Sequence, residues 1–158
     1  MRRNDRAVKD INEIKQILDN NDVCRIAFKD DNGIYIVPLT YGYSLSEDEK
    51  LTFYFHGAKV GRKVKAFEEN MEVGFEIDEK NELKATLDTK ACTYTYLYKS
   101  IIGNGIASII DGYDEKLSAL RILMKHVTKK DDLYFNEASV RNVLVMKIEV
   151  SSYSAKRH

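Results

Sequence analysis

The stretch Tyr54-Phe55-His56-Gly57-Ala58-Lys59-Val60-Gly61-Arg62-Lys63 carries most of the information on the fold of this chain. The apolar run 51–56 predicts a short strand, and Val60, Val64 and Phe67 recur at helical spacing within 59–70. Three cations therefore stand at or near the start of a helix that follows a glycine-containing turn. Backbone N–H groups and long cations are what a phosphate monoester requires, but such charge runs are more often solvated helix faces. Spacing alone favours the solvated face.

Size and composition indicate one domain. The chain has 158 residues, of which 44% are hydrophobic and 32% are charged, enough for a core that needs neither disulfides nor a structural metal. Lysine plus arginine and aspartate plus glutamate number 25 each, so no overall charge drives binding to nucleic acid or to an anionic membrane. We expect a single domain over residues 1–158 whose function lies in a local site.

The sequence shows no targeting or metal-binding pattern. Its apolar runs fall short of the roughly 20 residues that span a bilayer, and the opening MRRNDRAVKD lacks the apolar segment of a signal peptide. We expect a cytoplasmic location. Cys24 and Cys92 lie in strand-like runs and are interpreted as small core residues, and with His126 and His158 they form no metal-ligand spacing. No metal site is expected.

A hairpin is predicted near the N-terminus. The apolar runs 23–29 and 34–40 flank Asp30-Asp31-Asn32-Gly33, and Asn-Gly is a strong signal for a tight turn. Pro38 lies inside the second run, where it cannot donate a ladder hydrogen bond. That part of the strand must therefore lie at an edge, at a bulge or beside a gap that faces a ligand.

Hydrophobic patterns toward both ends of the chain predict two helices and a strand that is apolar on both faces. Asp10 and Glu13 have capping-box spacing before an apolar stripe that predicts a helix of about three turns. A second stripe, over about 113–129, consists of Leu117, Leu120, Met124 and Val127. The last predicted strand, 143–150, is apolar on both faces, so the chain itself or a partner subunit covers its second face. A homodimer is the simpler explanation.

The region 85–110 is strand-like but interrupted by Gly103-Asn104-Gly105, which is either a hairpin turn or a bulge approached by backbone or ligand. The elements add up to a mainly β chain with peripheral helices, joined by short connections that favour antiparallel pairing. A small β-barrel fits this pattern. A doubly wound nucleotide-binding sheet does not, because no G-x-G-x-x-G follows a strand.

The order of these motifs along the chain resembles a known family. The strand Tyr35-Ile36-Val37-Pro38-Leu39 is followed by His56-Gly57-Ala58 running into Gly61-Arg62-Lys63, then by Lys90-Ala91-Cys92, by Tyr98-Lys99-Ser100-Ile101-Ile102-Gly103-Asn104-Gly105 and by Lys156-Arg157-His158. This order is similar to the nitroimidazole-resistance branch of the pyridoxamine 5′-phosphate oxidase-like superfamily, whose members form an FMN-binding split β-barrel. The resemblance covers essentially the whole chain.

The resemblance implies a homodimer that binds FMN at the subunit interface. Strand residues from Val37 to Thr40 would run beside the isoalloxazine, and Arg62 and Lys63 would hold the phosphate together with nearby backbone N–H groups. Contacts from a neighbouring strand would complete the site. The implied cofactor-binding residues are Val37, Pro38, Leu39, Thr40, His56, Gly57, Ala58, Lys59, Gly61, Arg62, Lys63, Tyr98, Lys99 and Ser100.

The resemblance also implies a redox function. His56 would be the catalytic residue that orients substrate or donates a proton, and the polar loop 78–90 would shape the pocket mouth. Electrons would pass from NAD(P)H or another reductant, through FMN, to a small electron-poor molecule such as a nitroimidazole. The alternatives are a non-catalytic flavin- or haem-binding module of the same fold, acting as carrier, store or sensor, and an interaction domain without a cofactor.

Overall fold

The computed structural model describes residues 3–69, 71–79, 82–87 and 89–158. It confirms a mainly β chain with peripheral helices. The strands are β1 (Ala7–Val8), β2 (Val23–Asp30), β3 (Gly33–Thr40), β4 (Gly42–Leu45), β5 (Leu51–Gly57), β6 (Glu72–Asp78), β7 (Glu82–Ala85), β8 (Tyr94–Leu97), β9 (Lys99–Ile110) and β10 (Leu144–Arg157). The α-helices are α1 (Ile11–Asp19), α2 (Arg62–Glu68), α3 (Tyr113–Thr128) and α4 (Glu137–Asn142), and short 3-10 helices cover Asn4–Arg6 and Ala91–Thr93.

Antiparallel pairing joins most strands into one sheet. Its order is β3-β2-β6-β9-β10-β5-β4, and β1 adds to β10. The edge strands β3 and β4 are separated in sequence by Tyr41 alone, yet β3 pairs with β2 and β4 pairs with β5. Because the two edges of the sheet are consecutive parts of the chain, the sheet closes into a barrel.

Tyr41 fixes the point at which the chain changes partner. Its side chain is fully buried, its hydroxyl donates to the carbonyl oxygen of Leu18 at 2.8 Å, and its ring packs edge-on against Phe53. The next residue, Gly42, has no room for a side chain, since a Cβ there would overlap the backbone of Leu123 in α3. The contacts of Tyr41 and the close approach of Gly42 to α3 therefore fix the place where the chain changes its pairing partner from β2 to β5.

The predicted hairpin is confirmed, and its second strand is an edge strand. Asp30 pairs with Gly33 across the two-residue turn, so the odd-numbered residues of β3 bond to β2 and the even-numbered ones direct their backbone groups to the open edge. Pro38 belongs to the second set, so its missing N–H removes no ladder bond. Of the three settings predicted for this proline, the structure shows the edge.

The glycines of β9 mark a bulge, as one of the two alternatives predicted. β9 continues through Gly103 and Gly105, and the register of the facing β10 shifts between Val150 and Ser152. A Cβ on Gly105 would overlap the carbonyl oxygen of Glu149 and approach the Val150 Cα to 2.9 Å. The two longest strands are thus in direct backbone contact, which only glycine permits.

The second face of β10 is covered by the chain itself. Val145 on this face is buried in a small core with Leu120 of α3 and Val140 of α4. The apolar pattern on both faces of this strand is confirmed. It does not support the predicted homodimer, because helices of the same chain cover the second face. The helical stripe also shifts, because α3 buries His126 and leaves Val127 exposed.

The predicted start of the first helix is confirmed, whereas one of the two cysteine assignments is wrong. Asp10 caps α1 by accepting a hydrogen bond from the Asn12 N–H, and Ile14, Ile17 and Leu18 are buried. Cys24 is buried in β2, but Cys92 is exposed in a 3-10 helix, so its assignment to the core is wrong. Asn70, the predicted end of the segment that contains α2, lies outside the described residues.

Replacing Gly105 with alanine tests the backbone contact between β9 and β10. We expect Gly105→Ala to lower the free energy of unfolding by about 1–3 kcal/mol, since the added methyl overlaps backbone that cannot rotate away. Gly74→Ala in the adjacent β6 is the matched control, because a Cβ there has its nearest neighbours at 3.9 Å. Urea denaturation of both variants measures the difference, and equal stabilities would contradict the assignment.

Candidate functional site

The barrel is open between β3 and the end of β5. β4 pairs with β5 only as far as Tyr54, so Phe55, His56 and Gly57 have no strand partner on that side. β3 pairs with β2 along its whole length and with no further strand among the described residues, so its other edge is free and borders this opening. We call this opening the cleft, and define it by Val37–Thr40 on one side and 55–57 on the other. It contains the first two groups of residues that the resemblance implies for FMN binding.

The β3 wall of the cleft alternates between partly buried and exposed residues. Val37 and Leu39 pack partly buried against the main core, while Pro38 and Thr40 are exposed. The backbone oxygen of Pro38 and the backbone groups of Thr40 face the open edge by the alternation of the ladder. A planar ring with polar atoms on one side would find hydrogen-bonding backbone here without disturbing the sheet.

Arg62, at the start of α2, lies against the β2–β3 hairpin. Its guanidinium donates two hydrogen bonds to Asp30, at 2.8 and 2.6 Å, and a third to the carbonyl oxygen of Gly33 at 3.0 Å. It also lies over the Tyr35 ring at 4.6 Å from the centroid. The donation from Arg62 holds the pKa of Asp30 below its usual value. Most of the hydrogen-bond donors of Arg62 are therefore used to connect α2 with the β2–β3 hairpin.

Lys63 is differently placed from Arg62. Its side chain lies across the end of β5, where a Cβ on Gly57 would meet the Lys63 Cε at 3.3 Å. Within the described part of the chain it forms no ion pair, and neither does Lys59. A glycine that makes room for an unpaired cation, beside a free strand edge, is a setting that fits an anionic group such as a phosphate. Lys63, more than Arg62, is the cation available for one.

The turn between β5 and α2 is longer than the sequence pattern indicates. The helix begins at Arg62, after Gly61 at a φ of 123°, a backbone conformation that other residues rarely adopt. Val60 therefore lies outside the helix and is 78% exposed, so its assignment to the helical stripe is wrong. The extra residues place the N–H groups from Ala58 to Gly61 in an open turn beside the cleft.

His56 points away from the core. Residues of β5 alternate, and His56 lies on the outer face in the same row as Tyr54, with its backbone opposite Val145 of β10. Its ring is exposed and has no hydrogen-bond partner among the residues described. The imidazole is therefore free to donate to, or accept from, a bound molecule.

Tyr98, Lys99 and Ser100 lie far from the cleft within one chain. β9 runs from Lys99 to Ile110, about 36 Å at the usual rise of a strand, and it is the Ile110 end that lies level with His56. The strand next to β5 is β10, so the expectation of contacts from a neighbouring strand is wrong for a single chain. The far group has local partners instead. The Tyr98 ring stacks on His158 at 6.1 Å between centroids, Lys99 Nζ is 3.4 Å from Glu79, and Ser100 pairs with Asp78 and Lys156.

The polar loop is partly structured. β7 and β8 form a separate two-stranded ribbon, while Lys80, Asn81 and Asp88 of the predicted 78–90 loop lie outside the described residues. Over the described ranges, no group of three or more histidine, cysteine, aspartate or glutamate side chains is arranged to hold a metal ion. The described helices include none that is long and apolar enough to cross a membrane.

Sequence reasoning missed the partners of Arg62. Asp30 was interpreted only as part of a turn and Tyr35 only as part of a strand, yet together they fix the position of α2. Asp30, an acidic residue at the start of a tight turn, was the feature of the sequence that could have indicated an ion pair. The sequence alone does not show which of the cations at 59–63 pairs with it. The groove beside His56, lined by residues of α3 and α4, carried no local signal.

Comparison with known proteins identifies the family. The sequence model of the pyridoxamine 5′-phosphate oxidase family matches residues 10–157. The chain therefore belongs to this family, and the resemblance found in the sequence and the split-barrel fold class are confirmed. A search of curated proteins found no match.

Solved structures with the same fold include flavoproteins. A proposed 5-nitroimidazole antibiotic resistance protein from Bacteroides thetaiotaomicron is 28% identical, with a TM-score of 0.79 over 96% of this chain and 86% of that one. The flavocytochrome Anf3 from Azotobacter vinelandii is 19% identical, with a TM-score of 0.78 over 100% and 72%. The FAD- and haem-binding protein from Mycobacterium smegmatis is 13% identical, with a TM-score of 0.79 over 96% and 73%. The last two show the likeness of fold alone.

Acid titration tests the tie between α2 and the hairpin. Because Arg62 lowers the pKa of Asp30 in the folded state, this pair stabilises the fold above the unfolded carboxyl pKa of about 3.9, and the contribution is lost as the pH falls through the lowered value. We expect Asp30→Asn to be less stable than the natural chain at pH 7, and the gap to close as the pH falls below both the unfolded and the lowered pKa of the Asp30 carboxyl. Urea denaturation across this range measures the gap.

Asp31→Asn is the matched control, since the Asp31 side chain is 97% exposed and should contribute little at any pH. A gap for Asp30→Asn that does not change with pH would contradict a charged pair with Arg62.

Proposed function

We propose that this member of the pyridoxamine 5′-phosphate oxidase family is a homodimeric, FMN-dependent oxidoreductase. It takes electrons from NAD(P)H or another reductant and reduces a small electron-poor molecule, with nitro compounds such as nitroimidazoles as the substrate class. The proposal places it in the cytoplasm, where NAD(P)H is available and thiols such as Cys92 stay reduced. Family membership and the cleft support the cofactor, and the 28% identical Bacteroides protein supports the substrate class.

One observation carries the proposal: an unpaired lysine stands over a glycine at the end of the cleft. Lys63 and the open turn from Ala58 to Gly61 would hold the FMN phosphate, and Lys59 would add charge at the same end. Arg62 keeps its Nη1 N–H groups available while its other donors hold Asp30. Val37–Thr40 would supply backbone groups to the polar edge of the ring system. The residues present therefore fit the group.

FMN, when bound, supplies the two-electron transfer between donor and acceptor. For a nitro acceptor, NAD(P)H gives up a hydride, the nitro group gains two electrons and two protons, and one N–O bond breaks to leave a nitroso group and water. The chain contributes position and protons to this reaction. The exposed imidazole of His56 would relay a proton to the acceptor oxygen, taking one from solvent at one ring nitrogen as it releases one from the other.

A second copy of the chain is part of the proposal. On the outer face of the sheet, register places Ile36, Ala27, Gly74 and Asn104 in one row, and Pro38, Arg25, Glu76 and Ile102 in the next. Ile36 is 62% exposed and Ile102 is 54% exposed. Ile36 and Ile102 thus lie exposed on one face of the sheet, and this is the face on which the proposal places the partner. A partner on this face would shield them.

The separation of the two predicted residue groups also supports a dimer. His56 and Lys63 lie at one end of the sheet, and Tyr98–Ser100 lie at the other end of β9. One flavin cannot contact both groups in one chain. A twofold arrangement brings the far end of one chain to the cleft of the other, so that each cleft draws on two chains.

A charge-removing variant tests the phosphate site. We expect Lys63→Gln to weaken FMN binding at least tenfold, because one charge-assisted hydrogen bond is typically worth about 1.5–3 kcal/mol. Riboflavin lacks the phosphate, so its affinity should not change. Lys65→Gln is the matched control on the same helix, since Lys65 lies near Glu69 and Asp31 instead of the cleft. Fluorescence titration gives both affinities, and an equal loss for FMN and riboflavin would place the phosphate elsewhere.

The activity itself is tested on the purified protein under anaerobic conditions. We expect flavin absorbance bands and NAD(P)H-dependent reduction of a nitroimidazole, with His56→Gln lowering kcat and shifting its pH profile while flavin stays bound. Flavin without turnover of nitro compounds, quinones or free flavins would favour a carrier, store or sensor. A Soret band would favour haem, for which an exposed histidine beside an apolar groove is suited. Protein that neither carries nor takes up a cofactor would overturn the proposal.

A further inference from the structure

A groove on the outer surface starts at His56 and runs between α3, α4 and the segment that joins them. Its volume is 460 Å³, within the range of roughly 300–1,000 Å³ typical of small-molecule sites. The groove is lined by His56, Leu120, Met124, Leu133, Tyr134, Phe135, Asn136, Ser139, Val140 and Val143. It lies on the outer side of β5, away from the barrel core, and His56 belongs both to its lining and to the cleft.

The lining is apolar and uncharged. Leu120, Met124, Phe135 and Val140 form its walls, and no Lys, Arg, Asp or Glu belongs to the described lining. A carboxylate or phosphate bound here would lose water without gaining a counter-charge, and an ammonium group would do the same. The groove therefore selects against ions.

The polar groups of the groove are mainly donors. Asn136 uses its Oδ1 to cap α4, accepting from the Ser139 N–H at 3.1 Å and from the Ser139 hydroxyl at 3.3 Å. Among the described residues, the Asn136 amide nitrogen and the His56 imidazole have no hydrogen-bond partner, so both are available to a ligand. Burial of a donor is favourable only if an acceptor meets it. A fitting ligand thus carries acceptor oxygens at the end that lies near His56.

We propose that this groove binds uncharged, planar aromatic molecules with an acceptor group, nitro or carbonyl, directed at His56. The inference rests on the proposed function, because it makes the groove the acceptor subsite beside the cleft. Leu120, Met124 and Phe135 determine which ring is accepted, and His56 determines which end of the ring faces the cleft. Charged electron-poor molecules are excluded as substrates by the same lining.

Two probes of similar shape and no charge test the binding. In ligand-observed NMR titrations of the purified protein with its bound flavin, 4-nitroanisole should bind about tenfold more tightly than 4-methylanisole, as expected for one hydrogen bond to a donor. His56→Leu should remove this preference while leaving 4-methylanisole binding unchanged.

A charge placed in the groove provides the second arm. Met124→Glu should weaken both probes at least tenfold. Val127→Glu is the matched control, since Val127 is an exposed apolar residue of the same helix outside the groove. Circular dichroism and flavin absorbance confirm that each variant is folded and loaded.

The outcomes separate this inference from the proposed function. If 4-nitroanisole binds with the expected dependence on His56 and Met124 but no nitro compound is turned over, the groove stands and the reductase activity fails. If nitro compounds are reduced while Met124→Glu leaves both probe affinities and KM unchanged, the activity stands and the groove is overturned. A nitro preference that survives His56→Leu also overturns it.

Discussion

At Tyr41 the chain passes from β3, which pairs with β2, to β4, which pairs with β5. Because the chain changes its partner here, β3 has one paired edge and one free edge. The barrel is closed where β4 pairs with β5. It is open beside the end of β5, because β3 does not pair with that strand. Tyr41 holds the change of direction with its hydroxyl on Leu18 and its ring on Phe53. The cleft, its free backbone edge and the unpaired end of β5 all follow from this one geometric conflict.

The cations around the cleft divide into those that hold the protein and those that are free for a ligand. Arg62 has a planar fork of donors, which suits two carboxylate oxygens and a carbonyl at once. Lys63 is a point charge on a flexible arm, and the absence of a side chain at Gly57 gives that arm its place. Adjacent residues thus take a structural position and, in the proposed function, a phosphate-binding position, because they leave the helix in different directions.

Local patterns in the sequence predicted local features well. The β2–β3 hairpin followed from Asn32-Gly33 and the cap of α1 from Asp10, and the edge position of Pro38 was one of three settings that its missing N–H predicted. Contacts between distant segments were not predictable in this way. Asp30 is 32 residues from Arg62, and the carbonyl of Asn21 that meets His126 is 105 residues away. Periodicity showed that the second face of β10 is covered, but α3 and α4 cover it, which no spacing within the strand reveals.

Pro38 also protects the free edge of β3 against the addition of further strands. An open strand edge with exposed Ile34 and Ile36 is a template on which another chain can add a strand, the first step of aggregation. A proline in the middle of that edge withholds one donor from any strand that adds there, and its ring stands in the way of close approach. Pro38 therefore also acts as a gatekeeper against strand addition in newly made chains.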